Sequence, residues 1–450
     1  MKNADVAADL RDLRGGTRET AGYRRLALLF DGTGFDEIDA LTFSGGGSAE
    51  AVAGFGKVNG SPVCAFSQNP DVDGGAMSKA QAAKIKKTFQ LALKAGTPVV
   101  GIYDSVGGRL DEGADMLSSF GEILLTANNL SGVVPTVSLV LGNCTGTLAM
   151  VAAGADVVVM SEEAELTVAT NGEGGSAEEA EKLGVCQIAV KGEEEAVRAV
   201  RSILSMLPLN NVSASPLFDV SSPDADILKA SSSRDTIRAV ADGGSFLEFG
   251  KRFGAGAVTG LARFGGAVGG AVALTGVLDA DSCSKAARFV RFCDSFSLPV
   301  VTFVDAERFA TVKEASKLSS AYSEATTAKI TAVTGTACGP VYIAAAGRGA
   351  NADYTFAWPS ATVSALAPET GAVFLWNDRL KGSDHPVEDR KKLIEEYKTT
   401  EANALTAAAG GMVEDVVEPE KTREKIIACL DLLSGKRVMT LPKKHADIQL

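Results

Sequence analysis

From Val133 to Met160 the chain changes texture twice. An apolar, β-branched run (Val133, Val134, Val137, Leu139, Val140, Leu141) breaks at Gly142-Asn143-Cys144-Thr145-Gly146. It resumes as Leu148-Ala149-Met150-Val151-Ala152-Ala153, ahead of Val157-Val158-Val159-Met160. A buried strand, a glycine turn, a small-residue helix start and a further strand account for that order. Upstream, Gly56 to Val63 reads as a strand–turn–strand hairpin on Asn59-Gly60. The strand Val63 to Ser67 runs into polar Gln68 and Asn69, and Gly74-Gly75 then opens a helix from Ser78 to Ala95. Its apolar residues Ala80, Ala83, Ile85, Phe89 and Leu93 are followed by a stop at Gly96. Pro98 to Tyr103 is a strand, Asp104-Ser105-Val106-Gly107-Gly108-Arg109 leads into a second helix reaching about Ala127, and Glu193 to Leu207 is another helix. Strands alternating with helices, each step carrying a glycine turn, predict a layered α/β core with crossover connections.

The pattern then repeats. Asn210 to Asp226, rich in Ser, Pro and Asp, marks a linker, and beyond it Asp242 to Glu248 matches Asp31 to Glu37. Ala262 to Val268 matches the Lys57 hairpin, Ser284-Lys285 is taken to open a helix as Ser78-Lys79 does, and Leu298 to Val301 matches Thr97 to Val100. Lys329 to Pro340 parallels Thr136 to Thr147, and Ala350 to Asp353 parallels Ala153 to Asp156. Matches in one order at a separation of about 200 residues make the chain two copies of one domain. The predicted layout is an extension over 1–24, a first domain over 25–212, a linker over 213–232 and a second domain over 233–450. Its charged helical tail from Asp384 is read as a docking arm.

Composition narrows the chemistry. At 450 residues and 46% hydrophobic there is material for two cores, and a net charge of −12 argues against a general nucleic-acid or anionic-membrane surface. The seven cysteines never fall as Cys-x-x-Cys, which fits buried thiols in a reducing compartment. With only two histidines, His385 and His445, neither a metal site nor a histidine-driven triad is expected. Residues 1–24 lack an apolar signal core, and Gly265 to Leu278 falls short of the ~20 residues that span a bilayer, so a cytoplasmic protein is expected. The acidic runs Glu162 to Glu165 and Glu193 to Glu195 read as solvated helix faces.

A glycine turn feeding a helix start presents bare N–H groups, the material of an oxyanion hole. Two copies suit a reaction between two carbonyl-bearing substrates. Phe66-Ser67-Gln68 before Gly74-Gly75, Asp104-Ser105-x-Gly107, Glu112-Gly113, Phe120-Gly121-Glu122-Ile123, Gly142-x-Cys144-x-Gly146 and Leu207-Pro208-x-Asn210-Asn211 are present in the first half. The second half has Ala286 to Asp294, Ala321 to Thr326 and Phe356-Ala357-Trp358-Pro359. With these motifs, from about Leu26 to Val413, the chain resembles the carboxyltransferase subunits of biotin-dependent acyl-CoA carboxylases and decarboxylases.

The resemblance implies two tandem crotonase-like domains of the ClpP/crotonase ββα-superhelix type, related by internal duplication, the first on the acyl-CoA side and the second on the biotin side. It implies transfer of CO2 between carboxybiotin and the α-carbon of a short acyl-CoA, with biotin on a separate carrier chain, acyl-CoA as substrate and no metal. The implied partners are a biotin carboxyl carrier protein and a biotin carboxylase or membrane decarboxylase subunit, in a dimer-based homo- or hetero-oligomer that extends to a hexamer. N–H groups at Gly75 or Ala76 and at Thr145 or Gly146 would hold the thioester oxygen, with Val106, Gly107 and Gly108 bordering the acyl pocket. Arg109 is a candidate for a CoA phosphate, set against ordinary solvation. In the second half the corresponding groups are Gly339, Pro340 and Val341. There the chain departs from the family: Gly339-Pro340-Val341 stands for a Gly-Gly-Ala turn, and Ala306 to Glu314 replaces a Pro-Gly-rich loop. Proline either deletes a donor or sits harmlessly at the first helical position. A degenerate, non-catalytic partner subunit that keeps only the acyl-CoA site is therefore the alternative. A crotonase-like hydratase or thioesterase would need Asp111 or Glu112 as its carboxylate. Cys144 and Cys338, with no histidine near in sequence, read as inert thiols.

Overall fold

A computed structural model of the chain describes residues 14–32, 34–42, 50–168, 175–345, 347–350, 352–381, 383–445 and 447. Thr33 and Asn351, on which parts of the sequence reading fall, lie outside them, as do residues 1–13. The chain divides into two compact units, Met1–Pro216 and Leu217–Leu450.

The first unit is built on β1 (Asp36–Glu37), β2 (Ala51–Val58), β3 (Ser61–Gln68), β4 (Val99–Ser105), β5 (Thr136–Thr145), β6 (Val157–Ser161), β7 (Glu165–Thr167) and β8 (Ile188–Val190). They form one sheet in the order β1-β2-β3-β4-β5-β6-β8, with β7 on β5. The β2–β3 hairpin turns at Asn59 and Gly60, both at positive φ, as a tight Asn-Gly hairpin requires. From β3 onward the strands are parallel: Cys64 pairs with Val99, Val99 with Thr136 and Val137 with Val157. The helices are α1 (Ala21–Leu29), α2 (Lys79–Ala95), α3 (Asp115–Asn128), α4 (Thr147–Ala153), α5 (Ala177–Lys182) and α6 (Gly192–Met206). Ser78 caps α2 and Gly96 ends it in the left-handed conformation, the stop legible from the glycine. Phe66, Phe89 and Tyr103 meet edge to face in the core between the sheet and α2.

The second unit repeats the plan with β9 (Leu247–Phe249), β10 (Ala257–Phe264), β11 (Ala267–Leu278), β12 (Val300–Phe309), β13 (Lys329–Cys338), β14 (Tyr354–Ala357), β15 (Thr362–Ser364) and β16 (Asp415–Val416). The order is β16-β14-β13-β12-β11-β10-β9, with β15 on β13. Its helices are α7 (Ser233–Val240), α8 (Ala280–Ser295), α9 (Val312–Glu324), α10 (Pro340–Ala344), α11 (Pro368–Trp376), α12 (Pro386–Thr400), α13 (Ala404–Ala409) and α14 (Thr422–Leu433).

Duplication is visible in individual bonds. The Asp31 carboxylate accepts from the turn amides of Asn59 (3.1 Å) and Gly60 (2.7 Å) and from Arg201 Nη2 (2.6 Å). Asp242 accepts from Gly265 (3.0 Å), Gly266 (2.8 Å) and Arg423 Nη2 (2.6 Å). Lys84 Nζ donates to Ala51 O (3.0 Å), and Lys285 Nζ donates to Phe253 O (2.9 Å) and Ala257 O (2.7 Å). Asp156 accepts from the amide of Thr136, and Asp353 from that of Lys329.

Three sequence expectations change. Helix α8 opens at Ala280, because Asp279 and not Ser284 is its cap, so Lys285 matches Lys84 rather than Lys79. Glu162 to Glu165 is no helix face: Glu165 begins β7. The tail is no free arm, since β16 joins the sheet and α14 buries Ile426, Cys429 and Leu430 in the core of its own unit. No helix among the described residues is long and apolar enough to cross a membrane.

Candidate active site

At the end of β5 the chain turns at Gly146 (φ 66°, ψ −134°) into α4. Gly146 donates its N–H to Thr167 O at 2.9 Å, and Ala149 donates to Gly146 O at 3.1 Å. The two amides between them, Thr147 and Leu148, open the helix and find no acceptor among the described residues. These are the free donors of the corner. Sequence reasoning stopped one residue short, at Thr145 and Gly146; counting Gly146 as the cap residue would have moved the donors on to Thr147.

The facing wall is the loop after β4. Gly107 (φ 115°) lies against Thr145, whose Oγ1 would be 3.4 Å from a Cβ at that position. Gly108 forms a parallel bridge with Met77: Met77 donates to Gly107 O (2.7 Å) and Arg109 donates to Met77 O (2.9 Å). In a parallel ladder that arrangement turns the N–H of Gly108 itself away from Met77. Val106 is exposed at the rim.

Gly74 and Gly75, both at positive φ, pack under this loop. A Cβ on Gly75 would stand 2.2 Å from Asp104 O, so only glycine fits. The amides proposed there are engaged in the turn, Gly75 to Val72 O (2.8 Å) and Ala76 to Asp73 O (3.1 Å). The structure therefore brings residues 74–77, 105–109 and 145–148 together, with the open amides on the α4 side.

Two carboxylates, one half-buried and one buried, hold the corner in shape. Asp104 sits at a register shift between β4 and β5, and Gly142 is obligatory because a Cβ would meet Asp104 Oδ1 at 2.2 Å. Arg25 Nη1 lies 2.9 Å from Asp104 Oδ2 and its Nε donates to Glu193. Glu50, 4% exposed, accepts from Ser78 and from Arg109 Nη1 (3.1 Å). Arg109 also pairs with Asp111 (2.9 Å) and lies 3.6 Å from Asp73, so its guanidinium is already surrounded by carboxylates. Burial, with Asp104 nearby, pushes the Cys144 thiol far up, which leaves it protonated and inert.

The second unit keeps the corner in outline. Gly339 (φ 51°, ψ −120°) donates to Ser364 O at 2.9 Å, and Pro340 is the first residue of α10. Pro340 has no N–H, so Val341 is the first remaining amide, and it has no acceptor among the described residues. Asp305 meets Gly335 as Asp104 meets Gly142, a Cβ there falling 2.1 Å from Asp305 Oδ1. Burial raises the Cys338 thiol as well.

A doubled α/β scaffold in which each unit carries a glycine corner at a helix start defines a crotonase-like fold. Residues 18–448 match the carboxyl transferase domain family. The chain is 33% identical over 477 residues to the methylmalonyl-CoA decarboxylase alpha subunit of Propionigenium modestum, covering 95% of this chain and 92% of that one. It is 35% identical over 442 residues to the propionyl-CoA carboxylase carboxyltransferase subunit of Haloferax mediterranei, covering 89% and 85%. The crystal structure of the transcarboxylase 12S hexamer with methylmalonyl-coenzyme A bound superposes with a TM-score of 0.90 at 30% identity, covering 99% of this chain and 98% of that one. The chain belongs to the carboxyl transferase family and is a carboxyltransferase.

Proposed function

We propose that the protein is the acyl-CoA-handling carboxyltransferase subunit of a biotin-dependent carboxylase or decarboxylase, acting on a short acyl-CoA such as propionyl- or methylmalonyl-CoA. The observation that carries this reading is the pair of amides at Thr147 and Leu148 that find no acceptor among the described residues, following directly on Thr145, against which Gly107 lies. Relatives named for propionyl-CoA and methylmalonyl-CoA chemistry support it.

In this mechanism the thioester oxygen sits against the Thr147 and Leu148 amides, which strengthen their hold as charge moves onto it in the enolate. One such donor is worth about 2.7–4 kcal/mol in the transition state. Gly107, having no side chain, leaves room for the acyl group beside Val106, while Gly108 admits the Phe120 ring, which a Cβ there would meet at 3.0 Å. Arg109 serves the scaffold, tying the loop to Glu50, and leaves CoA phosphates to other groups. Biotin, carried on a separate chain, supplies a ureido nitrogen that bears the carboxyl group. The second-unit residues do not fit a site for it: Pro340 offers no N–H, and Arg308 and Phe309 stand where the first unit has Gly107 and Gly108. The assembly fitting this reading includes a biotin carrier chain, with a carboxylase or membrane decarboxylase subunit. Calorimetry with propionyl-CoA against free CoA tests the reading. Tighter binding of the thioester, lost in Thr147→Pro, is expected, and no binding of either sinks it.

A further inference from the structure

The two units are each other's control. Their frameworks agree bond for bond: the Asp31 and Asp242 clamps, Lys84 and Lys285, Asp104 against Gly142 and Asp305 against Gly335, and the amides of Gly146 and Gly339 each donating at 2.9 Å to the next short strand. The bridge of Met77 to Gly108 is matched by the pairing of Leu278 with Phe309, which fixes the register between the halves.

Against that constant frame three changes stand out, all around the second corner. Between Gln68 and Met77 the first unit loops out through residues 69–76, carrying Gly74 and Gly75. The second unit goes straight from Leu274 to Leu278, its residues 275–277 staying in strand β11 and pairing with Asp305, Ala306 and Arg308. The glycine wall has gone, since Arg308 and Phe309 occupy the register positions of Gly107 and Gly108. Pro340 takes the place of Thr147 and deletes the first helical amide. These differences fall around the place where a carbonyl oxygen would be held.

We infer that the second unit of this chain lacks the paired main-chain amides that would hold a carbonyl, so that the chain alone takes a 2-carboxyacyl-CoA to CO2 and the shorter acyl-CoA without biotin. The inference rests on the acyl-CoA reading of the first unit. The bond between Cα and the carboxylate breaks, and its electron pair enters the thioester enolate, whose oxygen lies on the Thr147 and Leu148 amides. CO2 leaves, and Cα takes a proton from water, releasing hydroxide that combines with CO2 as bicarbonate. No oxidant or reductant is involved. Transfer to or from carboxybiotin then requires a second chain whose corner is complete.

The test uses the full-length chain, purified over avidin to remove biotinylated proteins, with methylmalonyl-CoA in D2O and with or without free biotin, following CoA esters by chromatography and mass. Propionyl-CoA carrying one solvent deuterium at Cα, formed at the same rate in both arms and lowered about 10²–10³-fold in Thr147→Pro, is the expected result. Stimulation by biotin of about tenfold or more, equivalent to lowering the barrier by about 1.4 kcal/mol, would show a working second corner and overturn the inference. So would an absence of product while propionyl-CoA still binds by calorimetry, an outcome that leaves the acyl-CoA reading standing. Failure to bind any acyl-CoA would instead remove the proposed function itself.

Discussion

Replacing Thr147 by proline asks the first corner to accept what the second already contains. Gly146 and Gly339 have nearly the same backbone angles, φ 66° and ψ −134° against φ 51° and ψ −120°. The residue before the helix is therefore already compatible with a following proline, which disfavours only the α region there. Proline at the first helical position removes an N–H that makes no bond within the helix, so the stability change should stay within about 1 kcal/mol. Catalysis should respond quite differently. One lost oxyanion donor costs about 10²–10³ in kcat, or roughly 2.7–4 kcal/mol. The assay is release of CO2 from methylmalonyl-CoA, paired with thermal unfolding of the same samples. Thr147→Ala, which keeps the amide and removes the hydroxyl, separates backbone from side chain and should retain most of the activity. The reasoning fails if Thr147→Pro keeps activity within about threefold of the parent, or if alanine is as damaging as proline.

Other consequences are equally direct. Gly142→Ala drives a Cβ to 2.2 Å from Asp104 Oδ1, on a carboxylate whose Oδ2 is already paired with Arg25, so a loss of about 1–3 kcal/mol is expected, read as a fall in Tm in denaturation scans. Lys329, 1% exposed with Nζ donating to Tyr322 O and Ala325 O, has its pKa lowered by burial to about 8. Because the unfolded chain holds that proton up to the ordinary lysine range, stability should rise with pH from about 8 towards 10.5, by at most about 1.4 kcal/mol per pH unit. A Lys329→Met protein should lack that rise, and an identical pH profile would refute the assignment. All seven cysteines are buried and free, and burial raises the Cys144 thiol, so iodoacetamide should leave the native protein unlabelled and active.

Much of the fold was legible because its signals are local. Asn59-Gly60 specifies a hairpin, Ser78 and Gly96 bound a helix, and the order of matching segments exposes the duplication. The errors came where one local signal competed with another. Ser284-Lys285 looks like a helix start, yet Asp279 caps the helix earlier, and only the pairing of Leu278 with Phe309 fixes the register. The charged tail looks detachable because the buried residues of α14 are few and widely spaced. At the site, the glycines were visible but their bonding was not. Whether an amide is free depends on what lies across from it: Gly146 is engaged by Thr167, twenty-one residues later in the chain, and Gly75 by its own turn. Asp104 was visible only as one letter of a motif, without its structural part, and Glu50 escaped notice because a lone carboxylate carries no pattern.

The Asp31 clamp has a bearing on how the protein is made. Its arginine, Arg201, is 170 residues further along the chain, and the partner of Asp242, Arg423, is 181 residues further along. Each half is thus fastened by its own last long helix, and a ribosome that has released α6 has delivered every residue needed to close the first half. Synthesis from the N-terminus lets that half settle before its twin is complete, which limits mispairing between two similar sheets.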